Sequence, residues 1–320
     1  MPAKNPGGIT KITPRDIHPF DATERADVFG DERGVPEPPA RGVARLFGRQ
    51  TSFLLLLGFS VLFIYPFLWL ISSSLKPRAY VFTNTLIPQA WQFYNYVQIW
   101  HAAPFLRWFV NSFYIDAAAA VTVTFTSALT AFSFAYFRFP FRNFFFGCVL
   151  ATMMLPGAVT MIPVYLIWHR LGLANSQFPL WGTNLFGSAF YIFLQRQFFL
   201  GIPREYFEAA RMDGDNYFSM FWRIALPLAK PALIVTALFE FKAKWTDLMT
   251  PLIYLHTDNQ FTIPRGIYNL LGQYAPSSGG NGDYQLIMAA LVLSTLPMLL
   301  IFAFGQRYFI EGITLQGRKG

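Results

Sequence analysis

The chain is poor in cysteine, histidine and charge. Its single cysteine, Cys148, lies inside an apolar run, so no intrachain disulfide can frame the fold. The four histidines are dispersed and offer no metal-ligand spacing. No stretch places four residues between two glycines before Lys and Ser or Thr, the pattern of a phosphate-cradling loop, so the chain is not expected to bind ATP or any other cofactor itself. Ser, His and Asp occur, but no periodicity joins a nucleophile, a base and an orienting group, which argues against a membrane enzyme. Asp, Glu, Lys and Arg make up only 13% of the residues, whereas hydrophobic residues make up 54%, with 36 Phe.

Several apolar runs approach the length that crosses a bilayer. The sequence therefore reads as an all-α, polytopic membrane protein with six transmembrane helices, at about residues 52–75, 109–137, 144–168, 180–199, 224–254 and 286–304. A net charge of +8 would suggest nucleic acid in a soluble protein; here biased topology accounts for it, and membrane lipid rather than nucleic acid is the expected surroundings. Residues 1–50 mix Pro, Gly and both signs of charge without apolar periodicity and read as a flexible cytoplasmic tail, with residues 51–320 as the permeation domain. A cleaved signal peptide is not expected.

Within the third span Pro156, Gly157 and Pro163 predict a broken helix. The second span carries Ala117 to Ala120 and a series of Thr and Ser, which permit close helix packing. In the fifth, Glu240, Lys242, Lys244 and Asp247 are charges at membrane depth and thus functional candidates, with Glu240 and Lys244 spaced to pair. Lys242, Lys244 and Asp247 are the candidate pathway residues. The segment 276–283, PSSGGNGD, reads as a solvated connector.

With six spans both termini share one side, and that side holds seventeen Lys and Arg against five on the other. The positive-inside rule places the termini and residues 203–227, PREYFEAARMDGDNYFSMFWRIALP, in the cytoplasm. Pro203 suits the first position of a helix, Glu205 and Glu208 favour its N-terminus, Gly214 can end it, and Asn216 can cap a second. Two short helices bent about Gly214 are predicted. Arg204, Glu208 and Arg211 share one face and Phe207, Ala210 and Gly214 another.

Glu208-Ala209-Ala210, three residues, Gly214, nine residues, Ile224, one residue and Leu226-Pro227 resembles the EAA loop of binding-protein-dependent ABC importer permeases. Asn111-Ser112, residues 138–143, Met153-Met154 with Pro156, Ile162-Pro163, residues 196–199 and the C-terminal QRYFIEGITLQGRKG are similar to the carbohydrate-uptake branch, typified by the inner-membrane permease of maltose-type importers. The resemblance covers residue 51 to the end. It implies a type I ABC importer permease fold in a bacterial or archaeal cell membrane. It also implies a second permease subunit, two copies of a cytoplasmic ATPase carrying ATP and Mg, and an extracytoplasmic substrate-binding protein. Residues 203–227 would then dock the ATPase: Glu208 pairing with a basic group, Ala209 and Ala210 permitting close approach, Asp213 and Gly214 forming the bend, and Ile224, Leu226 and Pro227 completing the motif. Where the family reads Trp-Asn-acidic, this chain has Trp245-Thr246-Asp247. A sugar, oligosaccharide, polyol or glycerol-phosphate compound is the implied solute. A channel or secondary transporter would leave the EAA spacing unexplained.

Overall fold

The computed structural model describes residues 41–274 and 282–317, with side chains for 50–274 and 282–306. These residues are helical, with no strand among them. The chain divides into two units, residues 1–63 and 64–320. In the first unit the described residues belong to α1, Arg41–Ser74. This helix begins ten residues before the expected end of the tail; residues 1–40 lie outside the described residues.

The second unit is built around α3, Phe105–Tyr136, which packs against α7, Ala189–Leu200, and α11, Lys230–Trp245. The small residues of α3 are what permit this: Ala119, Ser127, Ala128 and Ala131 are fully buried. The Thr122, Thr126 and Thr130 hydroxyls donate to carbonyls one turn back, so these three are satisfied within the helix. The packing reading of this helix is the one that its geometry bears out.

Two apolar clusters lie along α3. One gathers Phe105, Trp108 and Ile115 with Trp245, Ile263, Leu270 and Leu286 from α11, α13 (Ile263–Tyr274) and α14 (Tyr284–Gly317). Here Gly266 is obligatory, because a Cβ would sit 2.2 Å from the Trp108 ring. The other joins Ala128, Phe132 and Phe199 to Phe207, Phe221 and Ala225.

By length and composition three helices can cross a membrane: residues 50–74 of α1, α3, and residues 284–306 of α14. Counting each sharply bent pair as one span raises this to five. The six spans expected from hydropathy are thus redistributed. The third is α4, Arg142–Thr152, and α5, Gly157–Arg170, meeting at 98°. The break falls before Gly157 as predicted, whereas Pro163 is accommodated inside α5. The fourth, 180–199, is divided among α6 (Phe178–Gly182), a 3-10 turn (Thr183–Phe186) and α7. The fifth bends by 78° at Ala229 before α11 and resumes as α12, Met249–Tyr254. Residues 276–281 of the connector lie outside the described residues; Asp283 at its end faces Arg78 at 3.8 Å.

Between α1 and α3 the chain includes α2, Asn95–Ala102. Asn95 is buried and donates to the carbonyls of Ser74 and Lys76, so it fastens the loop to the end of α1. Lys76 is buried too, donating to the Thr83 carbonyl at 2.9 Å. Burial holds its pKa below the ordinary lysine value.

Candidate functional sites: a docking helix and a buried polar layer

Residues 203–227 form the two bent helices expected. The first, α8, is Glu205–Met212, one residue after the Arg204 N-cap, so Pro203 precedes the helix instead of opening it. Its end is a Schellman motif: Gly214 donates to the Arg211 carbonyl at 3.2 Å and Asp215 donates to the Ala210 carbonyl at 3.0 Å. Gly214 has φ +87°, a conformation that an L side chain adopts only with strain. Asn216 then caps α9, Tyr217–Met220, accepting from the Ser219 N–H at 2.8 Å. Ser219 in turn donates to Asp215 Oδ1 at 3.0 Å, which braces the bend.

The two faces of α8 differ. Phe207 and Ala210 are buried; the Phe207 ring lies 5.8 Å from Phe132 and 5.0 Å from Tyr136, at the C-terminal end of α3. On the other face Glu205, Glu208, Ala209 and Met212 are exposed, Met212 at 89%. Of the two alanines assigned to close approach, Ala209 is therefore open to a partner while Ala210 packs within the chain. Among the described residues no ion pair involves Glu208, Arg204 or Arg211. Asp213 is exposed at the C-cap. Beyond α9, a π-helical turn, Phe221–Ala225, and α10, Leu226–Leu228, carry Ile224, Leu226 and Pro227 into the bend that leads to α11. The half-buried Ile224 and Leu226 pack on the second apolar cluster, and Pro227 is exposed.

The second site lies between the two apolar clusters, where α3, α7 and α11 enclose polar side chains. Glu240 accepts from Asn184 Nδ2 and hydrogen-bonds the Tyr191 hydroxyl, with Lys244 Nζ 3.9 Å away. The expected pair of Glu240 and Lys244 is present. Gln195, fully buried, donates to Thr236 Oγ1 at 3.1 Å and to the Thr124 carbonyl at 3.3 Å. Asp116 is buried within electrostatic reach of Lys244, Asp247 and Glu240, and its Oδ2 has no hydrogen-bond partner. Asp116 was missed in the sequence, although an acid within the apolar run Phe113 to Ala120 is the signal that marks such residues. Asn184, Tyr191 and Gln195 give no such signal, since their role depends on which helices meet.

The three pathway candidates separate. Lys242 lines a largely apolar cavity of about 800 Å³ beside α13 and α14. Lys244 lines a different cavity of about 500 Å³ next to α5, α6 and α12. Asp247 accepts from the Thr250 N–H, in the first turn of α12, at 3.1 Å.

The fold and these sites define a class: a multi-helix membrane component with a short helix whose polar face is exposed, and no metal cluster among the described residues. Residues 123–314 match the model of the binding-protein-dependent transport system inner membrane component, and the chain belongs to this family. It is 33% identical over 277 residues to the arabinooligosaccharides transport system permease protein AraQ of Halalkalibacterium halodurans, covering 84% of this chain and 97% of that one. It is 34% identical over 235 residues to the sn-glycerol-3-phosphate transport system permease protein UgpE of Yersinia enterocolitica, covering 72% and 82%. Among solved structures, a chain of a bacterial ABC transporter involved in the import of the acidic polysaccharide alginate matches with a TM-score of 0.75 and 25% identity, covering 85% of this chain and all of that one. The chain is thus a permease subunit of an ABC importer, with the type I importer permease fold.

Proposed function

We propose that this chain imports a sugar or oligosaccharide by alternating access, driven by a cytoplasmic ATPase that docks on α8. The observation that carries this reading is the division of α8 into a face clamped to the end of α3 and a face left open. A partner that moves α8 must move α3 with it, and α3 passes through the polar layer. Glu208 and Ala209 form the contact, Gly214 fixes the angle of α8, and Asp213, Ile224, Leu226 and Pro227 shape the return to α11. ATP and Mg are held by two ATPase copies; this chain supplies no group to the hydrolysis. A second permease subunit completes the pathway, and an extracytoplasmic binding protein delivers the solute. Both termini face the cytoplasm, as the distribution of Lys and Arg supports. The named solutes of the relatives support a carbohydrate, and the likeness to UgpE supports a glycerol-phosphate compound as the second reading.

A photo-crosslinking amino acid placed at Ala209 or Met212 in the assembled importer is expected to capture the ATPase subunit, whereas one at Phe207 is expected not to. Capture from Phe207 alone, or from none of the three, would refute docking through this face.

A further inference from the structure

The cavity at Lys244 has the chemistry of a solute subsite that selects on charge. Its volume, about 500 Å³, lies in the range of small-molecule sites. Lys244, Thr160, Thr183, Thr250, Tyr254 and Met161 contribute to its wall. These side chains supply an ammonium donor, four hydroxyls and apolar surface. The hydroxyls of Thr250 and Tyr254 have no protein partner among the described residues, and Thr160 and Thr183 keep acceptor capacity after donating to the carbonyls of Gly157 and Pro179. Such a wall complements an object whose edge is hydroxyl and whose face is apolar.

The ammonium is compensated before any solute arrives. Glu240 Oε1 stands 3.9 Å from Lys244 Nζ, and Asp247 accepts from the backbone N–H of Thr250, itself part of the cavity wall. Two carboxylates, Glu240 and Asp247, thus stand near one ammonium. A phosphate or uronate entering this cavity would meet no uncompensated positive charge and would be repelled by Glu240 and Asp247. A neutral hydroxyl would instead accept from Lys244 and exchange hydrogen bonds with the threonines.

We infer that the cavity walled by Lys244, Thr160, Thr183, Thr250 and Tyr254 binds an uncharged, polyhydroxylated solute and discriminates against its anionic counterparts. The inference rests on the importer reading and sharpens it, favouring a neutral saccharide over a glycerol-phosphate compound. The acids set the sign of the discrimination, and Lys244 acts as donor rather than as an anion receptor.

The test uses the assembled importer in nanodiscs without its binding protein, titrated calorimetrically with arabinotriose and with trigalacturonate. Arabinotriose is expected to bind, and trigalacturonate to bind at least roughly tenfold more weakly. Lys244→Met should weaken arabinotriose by roughly tenfold or more, and Thr250→Val, which leaves the ion pair intact, should weaken it severalfold. Glu240→Gln, which frees the ammonium, should raise the relative affinity for trigalacturonate. Equal binding of the two probes, saturable binding of neither, or unchanged arabinotriose affinity in both Lys244→Met and Thr250→Val would overturn the inference. ATP-dependent uptake by the wild-type complex is read separately. If uptake persists without the ATPase subunit, the importer reading itself fails, whereas a failed titration beside normal ATP-dependent uptake removes only the subsite.

Discussion

At the scale of single residues, Gly214 is the position where backbone geometry decides most. Its φ of +87° is needed for both bonds of the Schellman motif, and no neighbouring atom lies within 4 Å of where a Cβ would be. Substitution is therefore costly through the backbone alone. Gly214→Ala should cost about 1 kcal/mol and loosen α8 without a steric clash, measurable as a lower midpoint of thermal unfolding in detergent. Lys76 makes a pH-dependent contribution. Because burial lowers its folded pKa below the unfolded value, its destabilising effect is complete below the folded pKa and is relieved as pH rises toward the unfolded value of 10.5. Stability of the wild type should therefore gain relative to Lys76→Met as pH is raised through that window, and a difference between the two that is constant with pH would contradict it. The end of α8 and the cap at Asn216 were legible because local chemistry sets them. Ala210, assigned by the resemblance to close approach, instead packs inward beside Phe207, with which it shares a face. That Asn184 and Tyr191 reach Glu240 was not legible, because it depends on contacts between residues about fifty apart.

At the scale of elements, α8 is joined to the helices around it twice. One joint is the aromatic cluster of Phe132, Tyr136, Phe199 and Phe207; the other is the covalent path through α9, the π-helical turn and α10 into α11. Phe207→Ala removes the first and leaves the second. It should destabilise the protein by about 3 kcal/mol or more and lower transport per ATP hydrolysed, read from unfolding and from paired uptake and hydrolysis assays. Element types were largely predictable from composition, but continuity was not. Hydropathy cannot distinguish a straight span from two apolar helices meeting at 98° or 78°, because the apolar content of both is the same. The Pro156-Gly157 break was visible because those residues alter the backbone; the bend at Ala229 has only the nearby Pro227 and Pro231 as a local sign.

At the scale of the whole molecule, two apolar clusters hold a polar layer between them, and α3 runs through all three. Burying so many polar groups is stabilising only where they satisfy one another, which Glu240 achieves and Asp116 Oδ2 does not. This layer is where a motion of α8, transmitted along α3, would alter access to the cavity at Lys244. The most direct measurement is the ratio of solute imported to ATP hydrolysed by the reconstituted importer carrying Glu208→Lys or Gly214→Pro. The account predicts that both variants insert and assemble, that hydrolysis continues, and that import falls by roughly tenfold or more as docking loses a charge-assisted contact or the bend. A wild-type ratio in both variants would contradict it.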